Sequence, residues 1–142
     1  MAAKAPRVPV VGTVRPETYV YDAGVLVAID KRRDDVLRRH EVRLAGGDKI
    51  IVPAPVAAQV VRDPPRQARL MLTLRTCDVV PFGEDHAGPV GSLLAGAGTA
   101  DVIDGFVALT AAQFGGAVVT SDGEDIRHLL DTLGVRLAVF AP

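Results

Sequence analysis

Five short runs of mostly β-branched residues, separated by longer segments with helical features, constrain the fold of this chain more than any other feature. The predicted strands cover residues 18–21, 49–52, 78–82, 117–120 and 135–140. The predicted helices cover residues 25–30, 34–44, 66–76, 84–95, 101–114 (capped by Thr99) and 123–133, and one more has Pro53 and Pro55 in its first turn. Most of the strands are apolar throughout and alternate with helices. This pattern predicts an α/β fold with a central parallel sheet covered by helices on both faces.

Length, charge and cysteine content indicate one domain. A chain of 142 residues with 16 basic and 17 acidic side chains fits a single domain without a polybasic tail. We predict an extended arm over residues 1–17, where valines stand between prolines, and the domain over residues 18–142. No apolar stretch approaches the roughly 20 residues of a membrane span, and the first twenty residues lack a secretory signal pattern. With Cys77 as the only cysteine, these features favour the reducing cytoplasm and no membrane partner.

Several enzyme classes that use such a fold lack their required residues here. The sequence has no GxGxxG or GxxxxGK[ST] phosphate cradle and no GxSxG nucleophile turn. His40, His86 and His128 lie far apart without metal-ligand spacing, and we interpret them as surface or capping histidines. Dinucleotide-binding enzymes, P-loop enzymes and serine hydrolases are therefore excluded.

The aspartates carry the remaining chemistry. Asp22 directly follows the first predicted strand and Asp122 follows the fourth, and ligands of open α/β sheets bind beyond such strand ends. Asp104 lies in the first turn of the helix before the fourth strand, and Asp101 shares its face three residues earlier. Converging carboxylates of this kind can hold Mg²⁺ or Mn²⁺. Each aspartate alone also fits a turn or helix-cap role, and spacing by itself leaves both interpretations open.

Four segments, found in order, resemble one known family. They are residues 21–24 (YDAG), 52–62 (VPAPVAAQVVR), 99–104 (TADVID) and 120–126 (TSDGEDI). Together they resemble the PIN domain, specifically the VapC-type toxin ribonucleases of toxin–antitoxin pairs, over residues 18–140. The resemblance implies a PIN-like fold and an endoribonuclease that depends on Mg²⁺ or Mn²⁺. It also implies a protein that is usually a homodimer and is blocked by a small antitoxin protein.

The resemblance further implies roles for individual acids. By position, Asp22, Asp104 and Asp122 match the first, third and fourth acids of the family, which makes them the expected catalytic and metal-binding residues. Asp101 and Asp125 match accessory acids that many members have. We therefore expect these five side chains around one metal site.

The second acid of the family is where this sequence departs from the pattern. The family usually has Glu in the position of Gln59, and a neutral amide can serve equally as a ligand or as a helix residue bonded to backbone or to Arg62. The change removes one charge from the predicted site. We also expect Thr120 or Ser121, beside the fourth acid, to orient water or phosphate.

Residues 31–43 contain six basic side chains. Arg32, Arg38 and Arg39 are candidates for contacts with RNA phosphates. The alternative is a solvated helix face paired with the acids of the same segment, which is the usual role of such charge runs. The apolar helices over residues 25–30 and 66–76 fit an antitoxin groove, a dimer face or plain core equally well.

The sequence thus predicts a PIN-like, metal-dependent endoribonuclease toxin that acts on RNA phosphodiester bonds. The main alternative is a non-catalytic PIN-like module that binds RNA or protein and whose site is weakened at Gln59. A DNA-directed nuclease of the same fold is a third reading that residue types do not exclude.

Overall fold

The computed structural model describes residues 16–142, and the five strands in that range form one sheet with only parallel pairings. The strands are β1 (Thr18–Tyr21), β2 (Lys49–Pro53), β3 (Asp78–Val80), β4 (Ala117–Val119) and β5 (Val139–Phe140). Consecutive side chains of a strand point to opposite faces, and Ile50, Ile51 and Val52 are all buried, so both faces of the sheet are covered. The predicted α/β class and parallel sheet are confirmed.

Seven α-helices cover the sheet in this part of the chain. They are α1 (Ala23–Asp30), α2 (Asp34–Ala45), α3 (Ala54–Val60), α4 (Ala68–Arg75), α5 (Ala87–Ala97), α6 (Val102–Phe114) and α7 (Gly123–Leu133). Short 3₁₀ turns at Pro64–Arg66 and Glu84–His86 precede α4 and α5. These two helices therefore begin later than the sequence pattern indicated.

The strand order β3-β2-β1-β4-β5 places β1 at the centre of the sheet. The chain builds outward from β1 to β3 and then crosses back to add β4 on the other side of β1. This reversal creates a crevice at the carboxyl ends of β1 and β4, which is where ligands of open α/β sheets bind. Tyr21 lies opposite Val119 in the parallel register, so the residues that follow the two strands stand side by side.

Three predicted strands are shorter in the structure, β4 by the single residue Thr120. β3 ends at Val80 because its partner β2 ends at Pro53, which lies opposite Val80. β5 covers only Val139–Phe140 rather than residues 135–140. Val135 instead donates its N–H to Leu130 O at 3.1 Å and closes the turn after α7.

His40 is buried, which corrects its interpretation as a surface or capping residue. Its exposed fraction is 2%, and its ring lies between Tyr21 OH, 2.7 Å from Nδ1, and Thr76 Oγ1, 2.9 Å from Nε2. Burial lowers the pKa of His40 to about 4, and the positive charge of Arg43 acts in the same direction. The neutral imidazole joins β1 and α2 to the residue that follows α4.

The other two histidines make capping contacts, as the sequence interpretation held. His86 Nδ1 accepts a hydrogen bond from Gly83 N–H at 2.8 Å, at the start of the second 3₁₀ turn. His128 Nε2 lies 2.7 Å from Ala97 O, the last carbonyl of α5. Each histidine thus satisfies a backbone group at a helix end.

The predicted arm over residues 1–17 lies outside the described residues except for Pro16 and Glu17. Glu17 donates its N–H to Asp48 Oδ1 at 2.9 Å, and its carbonyl accepts the N–H of Lys49 at 2.9 Å. Pairing with the start of β2 therefore begins one residue before β1.

Within residues 16–142, no single helix combines the length and the apolar character needed to cross a membrane. The segments Glu84–Ala97 and Val102–Phe114 meet that test only as a pair, and they are bent by 107° at the break between them. Leu93 and Phe106, one from each segment, are buried in the core.

Arg32 has a backbone φ of 64°, in the left-handed region that favours glycine. Arg32 N–H bonds to Ile29 O and Arg33 N–H bonds to Ala28 O, which is the hydrogen-bond pattern of a glycine-ended helix. This conformation costs a non-glycine residue about 1–2 kcal/mol, and glycine loses about 0.5–1 kcal/mol more backbone freedom on folding. We expect Arg32→Gly to raise the free energy of unfolding by about 0.5–1 kcal/mol in urea denaturation.

The matched control for this change is Arg33→Gly. Arg33 has a φ of −73° and bonds to Asp35, so glycine there should lower stability. Equal destabilisation by both substitutions would contradict the strain that we assign to Arg32.

Candidate metal centre

Asp22 is the first residue after β1, and its exposed fraction is only 5%. Its N–H donates to Val119 O at 2.9 Å and extends the pairing of β1 with β4. Its Oδ1 accepts the N–H of Ala23 at 2.8 Å, so the side chain also caps α1. The end of the central strand and the start of the next helix therefore fix the position of this carboxylate.

Thr120 links Asp22 to the loop after β4. Its buried hydroxyl donates to Asp22 Oδ2 at 2.7 Å and accepts the N–H of Asp122 at 2.9 Å. Because both contacts are internal, the structure gives Thr120 the role of holding two predicted metal ligands in position. Ser121 is exposed, and its Oγ occupies the space that a Cβ on Gly24 would need. The sequence analysis did not identify this close packing of the loop on α1.

Asp104 lies in the first turn of α6, whose N-terminal cap is Asp101 rather than the predicted Thr99. Asp101 Oδ1 accepts the N–H of Asp104 at 3.0 Å. The capping role considered for Asp101 is therefore observed. Asp125 lies in the first turn of α7 and lines a small cavity, about 160 Å³, together with Asp101 and Asp104.

One carboxylate oxygen from each of Asp22, Asp104 and Asp122 lies within 4.8 Å of the other two. Asp22 is buried, Asp104 is half-buried and Asp122 is exposed, so the cluster opens to solvent on one side. Oxygen ligands of Mg²⁺ lie about 2.0–2.1 Å from the ion, which puts two ligands at most about 4.2 Å apart. The three carboxylates are therefore close to the spacing at which they can share one ion. The donor set fits Mg²⁺ or Mn²⁺, which prefer oxygen ligands.

The electrostatics of the cluster also fit a cation. Burial raises the pKa of Asp104 to about 7, and the negative charges of Asp101, Asp22, Asp122 and Asp125 act in the same direction. A carboxyl group with such a pKa is protonated in about half of the molecules at neutral pH. A divalent cation would replace that proton and relieve the mutual repulsion of the acids.

The remaining predicted site residues are Gln59 and three arginines. Gln59 is exposed on the last turn of α3, and Arg62 donates to the carbonyl oxygens of Ala58 and Val61 rather than to Gln59. Arg32 lines a groove between α2 and α4. Arg38 and Arg39 line a different cleft, on which Tyr19 of β1 also borders. The three arginines thus do not form a single patch.

Comparison with solved structures places the chain within a known fold. VapBC2 from Rickettsia felis, in a structure bound to a DNA fragment from its promoter, matches with a TM-score of 0.67 and 19% identity, over 88% of this chain and 98% of that one. VapBC-1 from nontypeable Haemophilus influenzae matches with a TM-score of 0.63 and 15% identity, over 87% and 97%. FitAcB from Neisseria gonorrhoeae matches with a TM-score of 0.58 and 18% identity, over 86% and 96%.

Sequence comparisons give no such match. No protein-family model matches the chain. No curated protein matches it either. At identities below 20%, the solved structures establish the architecture alone. The chain therefore has the PIN-like fold of the VapBC and FitAcB structures, as the resemblance of its four sequence segments implied.

Proposed function

We propose that this protein is a divalent-metal-dependent endoribonuclease and the toxin of a VapBC-type toxin–antitoxin pair. The observation that carries the proposal is the convergence of Asp22, Asp104 and Asp122 within 4.8 Å at the crevice between β1 and β4. The fold shared with VapBC and FitAcB structures supports it. Its RNA substrate and its action in the cytoplasm belong to the same proposal.

In this proposal the chain supplies ligands and their positioning. Asp22, Asp104 and Asp122 would hold Mg²⁺ or Mn²⁺, which would activate water and neutralise charge at the phosphodiester. Thr120 holds the Asp22 side chain and the Asp122 backbone in position through its two hydrogen bonds. Asp101 and Asp125 add negative charge beside Asp104 and so strengthen its attraction for a cation. Ser121, exposed beside Asp122, is the residue available to orient water or phosphate.

The proposed antitoxin would bind the groove between α2 and α4, whose volume is about 510 Å³. Leu37, Leu44 and Leu72 give this groove an apolar lining, and Leu72 is 60% exposed. The helix predicted over residues 25–30 does not offer a similar surface, because Val25, Leu26, Ala28 and Ile29 of α1 are buried in the core. A homodimer would need another surface, and exposed Phe140 on the sheet edge is a candidate for it.

Cleavage of a structured RNA by purified, antitoxin-free protein tests the proposal. We expect cleavage with Mn²⁺ or Mg²⁺, none with EDTA, and none from Asp22→Asn or Asp122→Asn, because each change removes a metal ligand. Equal cleavage by wild type and both variants would exclude this site as the source of activity. RNA binding without cleavage by the wild type would favour the non-catalytic module, and cleavage of DNA alone would favour the DNA-directed nuclease.

Gln59→Glu tests whether position 59 faces the metal. Three aspartates and one divalent ion carry a net charge of −1, and a second ion would make it +1, which a partly buried site tolerates poorly. We expect the wild type to bind one Mn²⁺ per chain in calorimetric titration. The variant should bind Mn²⁺ more tightly by about 1–3 kcal/mol and accept a second ion. Identical isotherms would place residue 59 outside the metal centre.

A further inference from the structure

A second charged cleft lies beside α2, and none of its lining residues belongs to the acidic cluster. Its volume is about 430 Å³. It is lined by Tyr19 of β1, by Arg38, Arg39 and Arg43 of α2, and by Asp35 and Asp48. We refer to these residues as the arginine cleft.

The acids of the arginine cleft already accept hydrogen bonds from other residues. Asp35 accepts two hydrogen bonds from Arg33 and one from Arg39, and these contacts hold the pKa of Asp35 well below its usual range. Asp48 Oδ1 accepts the N–H of Glu17 at 2.9 Å. Neither Arg38 nor Arg43 forms a salt bridge with any of residues 16–142. The cleft therefore presents two cations without a carboxylate partner.

Arg43 is held rigidly by two tyrosines. Its guanidinium carbon lies 4.6 Å from the centre of the Tyr19 ring, and its NH1 donates to Tyr21 OH at 3.1 Å. The Tyr21 hydroxyl accepts from Arg43, so its hydrogen is free to be donated to His40 Nδ1, 2.7 Å away. A guanidinium has five N–H donors, and this arrangement uses one of them. The others remain for an oxyanion, with little conformational entropy left to lose.

An RNA phosphate fits this cleft better than an acidic protein does, given the proposed ribonuclease function on which this inference rests. Five aspartates surround the metal centre, and they repel an approaching polyanion in the absence of bound metal. A polyanionic substrate therefore needs cations elsewhere on the protein. Tyr19 of β1 lies three residues before Asp22, the first residue after β1, so their backbones are about 10 Å apart at 3.3 Å per residue and both sites are within the reach of one strand of RNA.

We propose that the arginine cleft binds the phosphodiester backbone of the RNA substrate through Arg38 and Arg43. Arg43 already covers one face of the Tyr19 ring, so that face is not available for stacking on a base. The contact is therefore to the backbone and independent of sequence. Arg39, paired with Asp35 and bonded to Pro142 O at 2.9 Å, supports the wall of the cleft instead.

The test measures the affinity of a fluorescent single-stranded oligoribonucleotide as a function of salt. The protein carries Asp104→Asn and the buffer contains EDTA, so that no cleavage occurs. Each lost phosphate contact lowers the slope of log affinity against log salt by about 0.7 for a single strand. We expect this decrease for Arg38→Gln and for Arg43→Gln. Arg43→Lys should keep the slope because it keeps the charge.

Arg66→Gln is the control, because Arg66 is exposed and pairs with Asp63 away from the cleft. Arg38→Gln keeps the test decisive if Arg43→Gln unfolds the protein, since Arg38 is an exposed residue without a salt bridge. Unchanged slopes for Arg38→Gln and Arg43→Gln, together with RNA cleavage by the wild type, would overturn this inference and leave the ribonuclease proposal intact. Lowered slopes in a protein that never cleaves RNA would support this inference and contradict the ribonuclease proposal. Binding of polyglutamate but not of RNA would identify an acidic protein as the occupant and overturn the inference.

Discussion

Asp104→Asn should abolish RNA cleavage and yet make the metal-free protein more stable at neutral pH. In the folded state the pKa of Asp104 is raised from 3.8 to about 7, first by burial and then by Asp101 and the other acids. The protonated carboxyl group of Asp104 stabilises the folded state. This contribution is fully present below 3.8, the pKa of the unfolded chain, and is lost as the pH rises through about 7. Asparagine keeps the shape without the charge, so the variant should not show this loss.

Urea denaturation of both proteins at pH 5 and pH 8 measures the effect. The difference in stability between the variant and the wild type should grow with pH. The lowered pKa of His40 has the opposite effect on the pH dependence of stability. The neutral His40 ring stabilises the folded state above pH 6.5, its unfolded pKa, and this contribution is lost as the pH falls through about 4. That contribution is common to both proteins and cancels in the comparison. A difference that stays constant with pH would show that Asp104 is not perturbed in the folded protein.

Because Asp104 has this raised pKa, the number of protons released on metal binding should depend on pH. At pH 6 we expect Mn²⁺ to displace nearly one proton from Asp104, and at pH 8.5 almost none. Calorimetric titrations in two buffers with different ionisation enthalpies count these protons. Asp104→Asn should bind Mn²⁺ weakly and without proton release.

Thr120→Val should weaken metal binding without touching a metal ligand. Valine has nearly the shape of threonine, but it leaves the N–H of Asp122 unpaired and releases Asp22 Oδ2. An unpaired buried polar group costs about 1–3 kcal/mol, and loss of a group that orients metal ligands typically costs 10- to 100-fold in metal affinity. We therefore expect lower stability in urea denaturation and at least about tenfold weaker Mn²⁺ binding.

Thr73→Val is the matched control, because Thr73 is equally buried and its hydroxyl donates to Arg69 O on α4. It should lower stability slightly and leave Mn²⁺ affinity unchanged. Equal losses of affinity in both variants would mean that general destabilisation, rather than loss of the two hydrogen bonds of Thr120, weakens Mn²⁺ binding.

The sequence predicted the sheet well because every strand forms a short β-branched run between helical segments. It predicted the strand ends less well, because an end depends on the partner strand. β3 stops at Val80, opposite Pro53 at the end of β2, and the local signal at Pro81, which has no N–H to donate, does not by itself set this limit because an edge strand tolerates proline. His40 was misinterpreted for a similar reason. Its partners Tyr21 and Thr76 are 19 and 36 residues away, and no local pattern reports such contacts.

The three central acids converge as expected, but spacing alone left their role open, and the resemblance of the four segments selected them from the other aspartates. Their supporting contacts could not be predicted from the sequence. Thr120 or Ser121 was expected to orient water or phosphate, and the structure shows the hydroxyl of Thr120 bonded to Asp22, 98 residues away. Asp101 replaced Thr99 as the cap of α6 because its carboxylate reaches Asp104 N–H, and either residue has a suitable side chain. The choice between them depends on backbone geometry.

The pairing of β1 with β4 has a consequence for biosynthesis. Asp22 emerges from the ribosome well before its partners Val119 and Thr120, the second of which follows it by 98 residues. A nascent chain that ends before β4 has no Asp122, no hydroxyl on Asp22 Oδ2 and no second neighbour for the central strand. Translation as far as Asp122 must therefore precede assembly of the acidic cluster.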